Sequence, residues 1–442
     1  MAEPRDTVEG SALAPNYGPL PLTVARAQGV YVWDVDGDAY LDFLAGYSAL
    51  NFGHLHQALV SAAIGQLKHL TLTSRAVGHE LLEPFARRTA DVVGPLTTGG
   101  PESLVVPMNT GAEAVETAIK AVRKRGYDTK GIAEDEANIV VASGNSHGRT
   151  TTLAGLSDNP VARDRFGPFT PGFRTVPFGD ADAVAGALDD ATVAILMEPV
   201  QGEAGVVVPP EDFWPRLREL ADEHDVVLVA DEIQSGLGRT GHVLACELWD
   251  TTPDLAVLGN SLGGGIVPVS AVVGRRDVLA TLTPGTHGST FGGNPLACAV
   301  AIAVLDLLAP GQYQARAVQL GTELREHLQR LTDDGLLAGF RAAGLWAGLD
   351  LDPARNPGLD HPARALSEEL LERGVLTYET RGNTIRLSPP LSIARPELDH
   401  AMEILELSLR ALAEPDTTPV AEPDTAAVTP RRAPQQPPAA RT

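Results

Sequence analysis

Five short runs rich in Val, Ile, Leu and Ala, each apolar on both faces, constrain this chain more than any other feature. They are NIVVASGN (138–145), ATVAILMEPV (191–200), VVLVADEI (226–233), LAVLGN (255–260) and VSAVVG (269–274), and helical patterns separate them. A strand with no water-facing side must be covered by helices on both sides, so the pattern predicts an α/β fold with a mostly parallel sheet. GAEAVETAIKAVRKRG (111–126) places its apolar residues at helical spacing and opens directly after Asn109 and Thr110. From about Ala315, helical segments (LGTELREHLQRL, ALSEELLERG, LDHAMEILELSLRAL) interleave with short strands such as GLWAGLDLD and NTIRLSPP, the pattern of a smaller α+β domain. The expected division is an N-terminal segment, 1–50, whose YVWDVDGDAYLDFLAG hairpin packs with the small domain, a large domain over 51–310, the small domain over 311–412, and a tail over 413–442. The tail repeats AEPDT and then turns Pro-rich, a composition too polar to offset chain entropy, so it is expected to be disordered.

Composition narrows the function. Of 442 residues 43% are hydrophobic, enough for one large or two medium cores, which excludes a disordered or fibrous protein. Asp and Glu outnumber Lys and Arg by 57 to 34, the formal charge is −23, and no long basic run is present to neutralise phosphates, so nucleic acid is not an expected partner. The longest apolar stretch, 297–309, is interrupted by Asp306 and falls short of the ~20 residues that span a bilayer, so no membrane is expected. The opening MAEPRDTVEG lacks the basic and apolar regions of a secretory signal. Cys246 and Cys298 make neither a disulfide framework nor a metal-ligand spacing. A cytoplasmic protein without a metal site is the expectation. Lysine is scarce: Lys68, on an early helix, and Lys120, Lys124 and Lys130, which are expected to follow the helix at 111, are the only ones.

Two segments carry chemistry on their own residues. Met108-Asn109-Thr110-Gly111-Ala112-Glu113 puts small residues at a helix opening, where free amides and the positive end of the helix dipole favour a phosphate. The same wording is also ordinary helix capping. VVLVADEIQSGLGRTG ends a buried strand at Asp231 and Glu232, so carboxylates emerge at the carboxyl edge of the sheet, where open α/β folds bind ligands. A carboxylate there can keep a pyridine nitrogen protonated, hold a metal, or cap the backbone.

Taken together with MEPVQGEAGVVVP (197–209), GRTTTLAGLS, GGGIVPVSAVV and HGSTFGGNPLACA (287–299), these motifs resemble the class III, fold type I aminotransferases that use pyridoxal phosphate, most closely the ornithine δ-aminotransferases. The resemblance runs from NYGPLPLTVARAQG to NTIRLSPPLSI and excludes the tail. It implies a seven-stranded type of sheet in the large domain and a site shared across a homodimer. It also implies that Gly111 and Ala112 donate amides to the cofactor phosphate, that Thr290 reaches the phosphate of the partner subunit, that Asp231 pairs with the pyridine nitrogen, and that Gln234 lies near the ring oxygen. On the substrate side, Tyr17 and Arg149 would hold the α-amino and α-carboxylate ends of ornithine, with Tyr47 lining the same pocket. Glu203 and Arg386 would form a switch pair that opens so that Arg386 can take the carboxylate of a 2-oxo acid. A guanidinium fork matches a carboxylate at two points, which is why arginine is expected in such roles.

Two positions depart from the family pattern. The Schiff-base lysine normally stands in a run like L-G-K-x-L-x-G-G; here the run is LGNSLGG and Asn260 occupies the lysine position. An aromatic that stacks on the cofactor ring is replaced by Ser146, next to His147, the one local group that titrates near neutral pH and a candidate substitute base or a plain structural histidine. An amide neither forms a Schiff base nor moves a proton, and loss of general acid–base catalysis alone is worth roughly 10²–10⁴ in rate. Loss of the stacked ring weakens cofactor retention by about 1 kcal/mol. The sequence leaves open an ornithine-type aminotransferase with weak or altered catalysis, an enzyme acting on a carbonyl intermediate of a specialised pathway, and an inactive pyridoxal or pyridoxamine phosphate-binding partner, possible in a heterodimer with an active relative. A change confined to position 260 in an otherwise ordinary enzyme is equally compatible with it.

Overall fold

The computed structural model describes residues 12–355, 359 and 361–413; beyond Ala413 the expected tail lies outside the described residues. Seven strands form one sheet in the order Leu104–Met108, Ser270–Gly274, Leu255–Leu258, Val227–Asp231, Thr192–Met197, Asn138–Ala142 and Phe173–Val176. The five strands from Leu255–Leu258 to Phe173–Val176 pair in parallel, while Ser270–Gly274 runs antiparallel to both its neighbours.

Successive side chains of a strand point to opposite faces, and here both faces are dry. Ile139 and Val141 meet Ala118, Ile119 and Val122 of the helix Gly111–Lys130, whereas Val140 and Ala142 meet the core that holds Trp214 and Leu217 of the helix Phe213–Glu223. Each fully buried Val, Ile or Leu contributes about 1.5–3 kcal/mol relative to exposure, which is what keeps the sheet closed to water between its helices.

The helix that begins at Gly111 runs on to Lys130 and stops at Gly131, whose φ of +65° favours glycine. Lys120 and Lys124, inside 111–126, and Lys130, at the helix end, therefore all stand on the helix and do not follow it as expected. Gly126, the last residue of the segment read as helical, lies inside the helix as a packing glycine, because a Cβ there would lie 2.2 Å from Cγ1 of Val193.

A second, antiparallel sheet comprises Gly339–Ala342, Ala347–Asp350, Thr384–Leu387 and Tyr378–Thr380. The strands Val24–Gln28, Tyr31–Asp34 and Ala39–Asp42 form a third, completed by Val375–Leu376 running parallel to Ala39–Asp42. Leu41 and Phe43 enter the same core as Leu324, Leu349, Leu366, Ile385 and Leu405. Arg239, fully buried, donates to the carbonyls of Leu345 (3.0 Å) and Pro389 (2.7 Å) and to Oδ1 of Asn51, joining three distant segments. Among the described residues no single helix is long and apolar enough to cross a membrane.

Candidate active site

Three loops meet at the carboxyl edge of the large sheet because two glycines let them. A Cβ on Gly111 would sit 2.8 Å from the side chain of Ile233, and one on Gly259 would sit 3.1 Å from it, so the helix entry and the loop after Leu258 both close on the residue that follows Asp231 and Glu232. Beside them opens a cavity of about 370 Å3, lined by Ala49, Asn109, Thr110, Gly111 and Asn260 together with 265–269. The helix entry is a full capping box: Thr110 Oγ1 accepts from the amide of Glu113 (3.2 Å), and the Glu113 carboxylate accepts from the amides of Asn109 (3.0 Å) and Thr110 (2.9 Å). Burial opposes the charge on Glu113, but these hydrogen bonds prevail and lower its pKa. The box leaves the amides of Gly111 and Ala112 unused, at the positive end of a 20-residue helix.

Next to Ile233 lies a buried acidic pair, Asp231 and Glu198, with one imidazole. Asp231, the last residue of its strand, accepts from Nδ1 of His147 at 2.6 Å through Oδ2 and from the amide of Ile233 at 3.2 Å through Oδ1. Burial works against a charged His147, yet the Asp231 carboxylate prevails and raises its pKa; Nε2 of the ring is buried with no partner among the described residues. Glu198, which the sequence reading did not single out, accepts from the amide of Ser146 at 3.0 Å, and burial pushes its carboxyl up to about 7. Its signal was available in MEPV, an acid immediately after a fully buried strand.

Between the ordinary carboxyl range and about 7, the folded chain binds more protons at Glu198 than the unfolded chain, so this group's stabilisation is present at low pH and lost as pH rises through about 7. Glu198→Gln has no such loss. Its unfolding free energy relative to the unmodified chain is expected to improve by on the order of 1–3 kcal/mol from about pH 5 to about pH 8, read from denaturant melts. An unchanged difference across that range contradicts the assignment.

The charged pair on the other side of the site is closed. Nη1 of Arg386 donates to Oε1 of Glu203 at 2.5 Å and, more weakly, to Oε1 of Gln234 at 3.4 Å, and Gln234 Nε2 donates to Oε1 of Glu203 at 3.2 Å. The Gln234 carboxamide thus rests on the Glu203–Arg386 pair. Burial opposes the charge on Glu203, but Arg386, with smaller help from Gln234 and Arg149, lowers its pKa. The Arg386 guanidinium lies 4.9 Å from the ring centre of Tyr47, and Tyr378, a second residue not singled out in the sequence, meets Tyr47 edge-on at 6.5 Å. Arg149 is exposed and makes no hydrogen bond or ion pair among the described residues; Tyr17, on the irregular N-terminal segment, is 73% exposed. Thr290 is exposed beside Ser289, whose Oγ accepts from Nδ2 of Asn109 at 3.0 Å.

Asn260 lines the cavity with φ at +43°, a conformation asparagine adopts more readily than most residues. Its Nδ2 donates to the carbonyl of Tyr47 at 2.9 Å, and Ser261 Oγ donates to the carbonyl of Ser48 at 2.6 Å. These bonds seat a left-handed turn in which Ala45, Gly46, Tyr47 and Ser48 all have positive φ. The lysines lie elsewhere. Lys120 donates to the carbonyl of Thr286, Lys124 pairs with Asp128, Lys130 donates to the carbonyls of Thr192, His224 and Asp225, and Lys68 ends the helix Gln57–Leu67.

Two amides at a helix entry that the capping box leaves unused, a buried carboxylate at a strand end and an Arg–Glu ion pair, all over one mostly parallel sheet, fit a fold type I, pyridoxal phosphate-dependent transferase. The family model "Aminotransferase class-III" matches residues 12–409, and the chain belongs to that family. It is 42% identical over 393 residues to the ornithine aminotransferase of Oceanobacillus iheyensis, covering 89% of this chain and 95% of that protein. Among solved structures it resembles the ornithine aminotransferase of Toxoplasma gondii (TM-score 0.86, 40% identity, 91% of this chain and 92% of that one). It also resembles the acetylornithine aminotransferase of Elizabethkingia anophelis (TM-score 0.79, 39% identity, 91% and 96%). Pyridoxal phosphate is the cofactor of this family. The residues present fit its phosphate and its ring nitrogen through the free amides of Gly111 and Ala112 and the buried Asp231–His147 pair. At the cavity the described residues supply no lysine amine.

Proposed function

We propose that this chain is an ornithine-type aminotransferase that holds pyridoxal phosphate without a covalent bond and turns over slowly by itself. The observation that carries this reading is Asn260, a carboxamide lining the cavity while every lysine stands elsewhere. Pyridoxal phosphate supplies an electron sink that stabilises negative charge on the carbon losing a proton. Around it, Gly111 and Ala112 hold the phosphate, and Asp231, kept oriented by Nδ1 of His147, holds the ring nitrogen protonated. Ser146, where the family carries a stacking aromatic, would give the ring no such support. Arg149 takes the α-carboxylate of ornithine and Tyr17 its α-amino group, which directs the δ-amine inward, and Tyr47 walls the pocket. Glu203 neutralises Arg386 while the diamine is bound, and its release frees the guanidinium for the carboxylate of the 2-oxo acid.

Asn260 cannot shuttle a proton, since a carboxamide has no basic lone pair at neutral pH. Formation of glutamate semialdehyde from ornithine and 2-oxoglutarate is therefore expected well below ~1 s⁻¹, the lower end of ordinary enzyme turnover. Turnover in the ordinary range overturns the reading.

We infer also that the working form is a cytoplasmic homodimer, with small units built from the N-terminal segment and 311–412. Ile64, Leu67, Leu72, Val77 and Phe291 are large, apolar and exposed, and Arg75 lies near enough to His287 to help lower its pKa, behind burial and Lys120. Exposed apolar side chains such as these, with Phe291 next to Thr290, are what a partner subunit would cover. Light scattering is expected to give twice the chain mass over a wide concentration range, and a monomer throughout refutes the dimer.

A further inference from the structure

The N-terminal segment that carries Tyr17 has almost no structure of its own to place it. From residue 12 to residue 22 it forms no helix or strand, and Leu20 is its one buried side chain. Tyr17 makes no hydrogen bond among the described residues, so its ring stands where the neighbouring backbone puts it.

That backbone is held from the small unit by two side chains. Arg364 donates through Nη1 to the carbonyl of Gly18 at 3.1 Å and through Nη2 to the carbonyl of Pro19 at 2.8 Å, and Tyr378 Oη donates to the carbonyl of Gly18 at 2.7 Å. The arginine is itself fixed from behind: Nε donates to Oε1 of Glu368 at 2.7 Å, and Nη1 lies 3.7 Å from Oε2 of Glu379. Tyr378 faces the site as well as the segment. Its ring meets Tyr47 edge-on, and Tyr47 lies under Arg386, so an unbroken series of contacts joins the Gly18 carbonyl to the Glu203–Arg386 pair. Burial first, and charged neighbours after it, raise the pKa of Tyr378 and Tyr47; Tyr17 is among those neighbours for both, which puts the three phenols within electrostatic reach of one another.

We propose that Tyr378, acting with Arg364 through the backbone of Gly18 and Pro19, is a specificity-determining residue that stations Tyr17 and thereby sets the preference for a diamino acid over an ω-amino acid lacking the α-amino group. The inference rests on the reading above in which Tyr17 receives that group. The ring of Tyr378 is a wall of the amine pocket; its hydroxyl is a tether for the residue opposite.

The test is calorimetric titration of the full chain loaded with pyridoxal phosphate, using ornithine and 5-aminopentanoate, which differ only in the α-amino group. Four proteins are compared: unmodified, Tyr17→Phe, Tyr378→Phe and the double variant. Tyr378→Phe keeps the ring and loses one hydrogen bond, so ornithine affinity is expected to fall about three- to tenfold, while that for 5-aminopentanoate changes less than twofold. In the Tyr17→Phe background the same substitution adds less than a further twofold, because the group it stations has gone. Arg364→Met, which removes both carbonyl bonds and keeps the aliphatic stem, is expected to show the same selective loss. Equal losses for both ligands, no loss, or full additivity in the double variant overturn the assignment of Tyr378. If Tyr17→Phe leaves the preference for ornithine intact, the role of Tyr17 itself is wrong and the inference falls with it.

Discussion

Asn260→Lys is expected to raise ornithine-dependent formation of glutamate semialdehyde by roughly 10²- to 10⁴-fold, the span general acid–base catalysis contributes. The groups proposed to position the reactants are already in place: Arg386 closed on Glu203, Asp231 buried against His147, and an exposed Arg149 that makes no hydrogen bond or ion pair among the described residues. What the substitution adds is an amine able to bond the cofactor and to carry a proton. Next to a protonated pyridine ring that amine would have a depressed pKa and be partly neutral at mildly alkaline pH. The substitution also removes the hydrogen bond from Asn260 to the Tyr47 carbonyl, and lysine is less at ease than asparagine at φ +43°, so a small loss of thermal stability should accompany the gain. If the variant bonds its cofactor and forms no semialdehyde, the pocket serves another amine. Ser146→Phe added to it is expected to improve cofactor retention more than turnover.

Asp231→Ala is expected to have the second largest effect, on binding and on folding together. It deletes the proposed partner of the ring nitrogen, and cofactor affinity should fall at least about tenfold, since a charge-assisted hydrogen bond contributes roughly 1.5–3 kcal/mol. It also leaves His147, fully enclosed, without the carboxylate that holds its proton at Nδ1. Breaking a buried pair by removing one partner typically costs about 3–5 kcal/mol, the upper bound here because His147 can give up its proton instead. Asp231→Asn separates the two consequences by keeping the shape while removing the charge. Denaturant melts of the apo chain and cofactor titrations read them independently, and unchanged cofactor affinity in both variants would remove Asp231 from the site.

How far the sequence led depended on where the determining contacts lie along the chain. Asp231 was legible because a strand buried on both faces must end where its carboxylate appears, and Gly111 because small residues at a helix opening leave amides free. The length of that helix was less legible: 111–126 shows the spacing, but the helix runs on to Lys130, and Gly126 serves the approach to Val193, a neighbour the sequence does not place beside it. Tyr378 and Arg364 carried no pattern at all. Their partner carbonyl at Gly18 is 360 and 346 residues away, and a hydrogen bond to a backbone oxygen asks nothing of the residue that offers it. The seating of Asn260 on the Tyr47 carbonyl was hidden for the same reason, 213 residues apart. Its chemical meaning came from the family resemblance and from the scarcity of lysine.

The proposed hold on pyridoxal phosphate, through the helix entry and Asp231 and without a covalent bond, can be read directly. The direct measurement is to load the purified chain with the cofactor, treat it with sodium borohydride, and compare its intact mass and its visible absorption before and after denaturation. The expected result is a cofactor band that is lost on unfolding and desalting, with the polypeptide mass unchanged by the reductant. A mass raised by one reduced cofactor and located on any of the four lysines would contradict it.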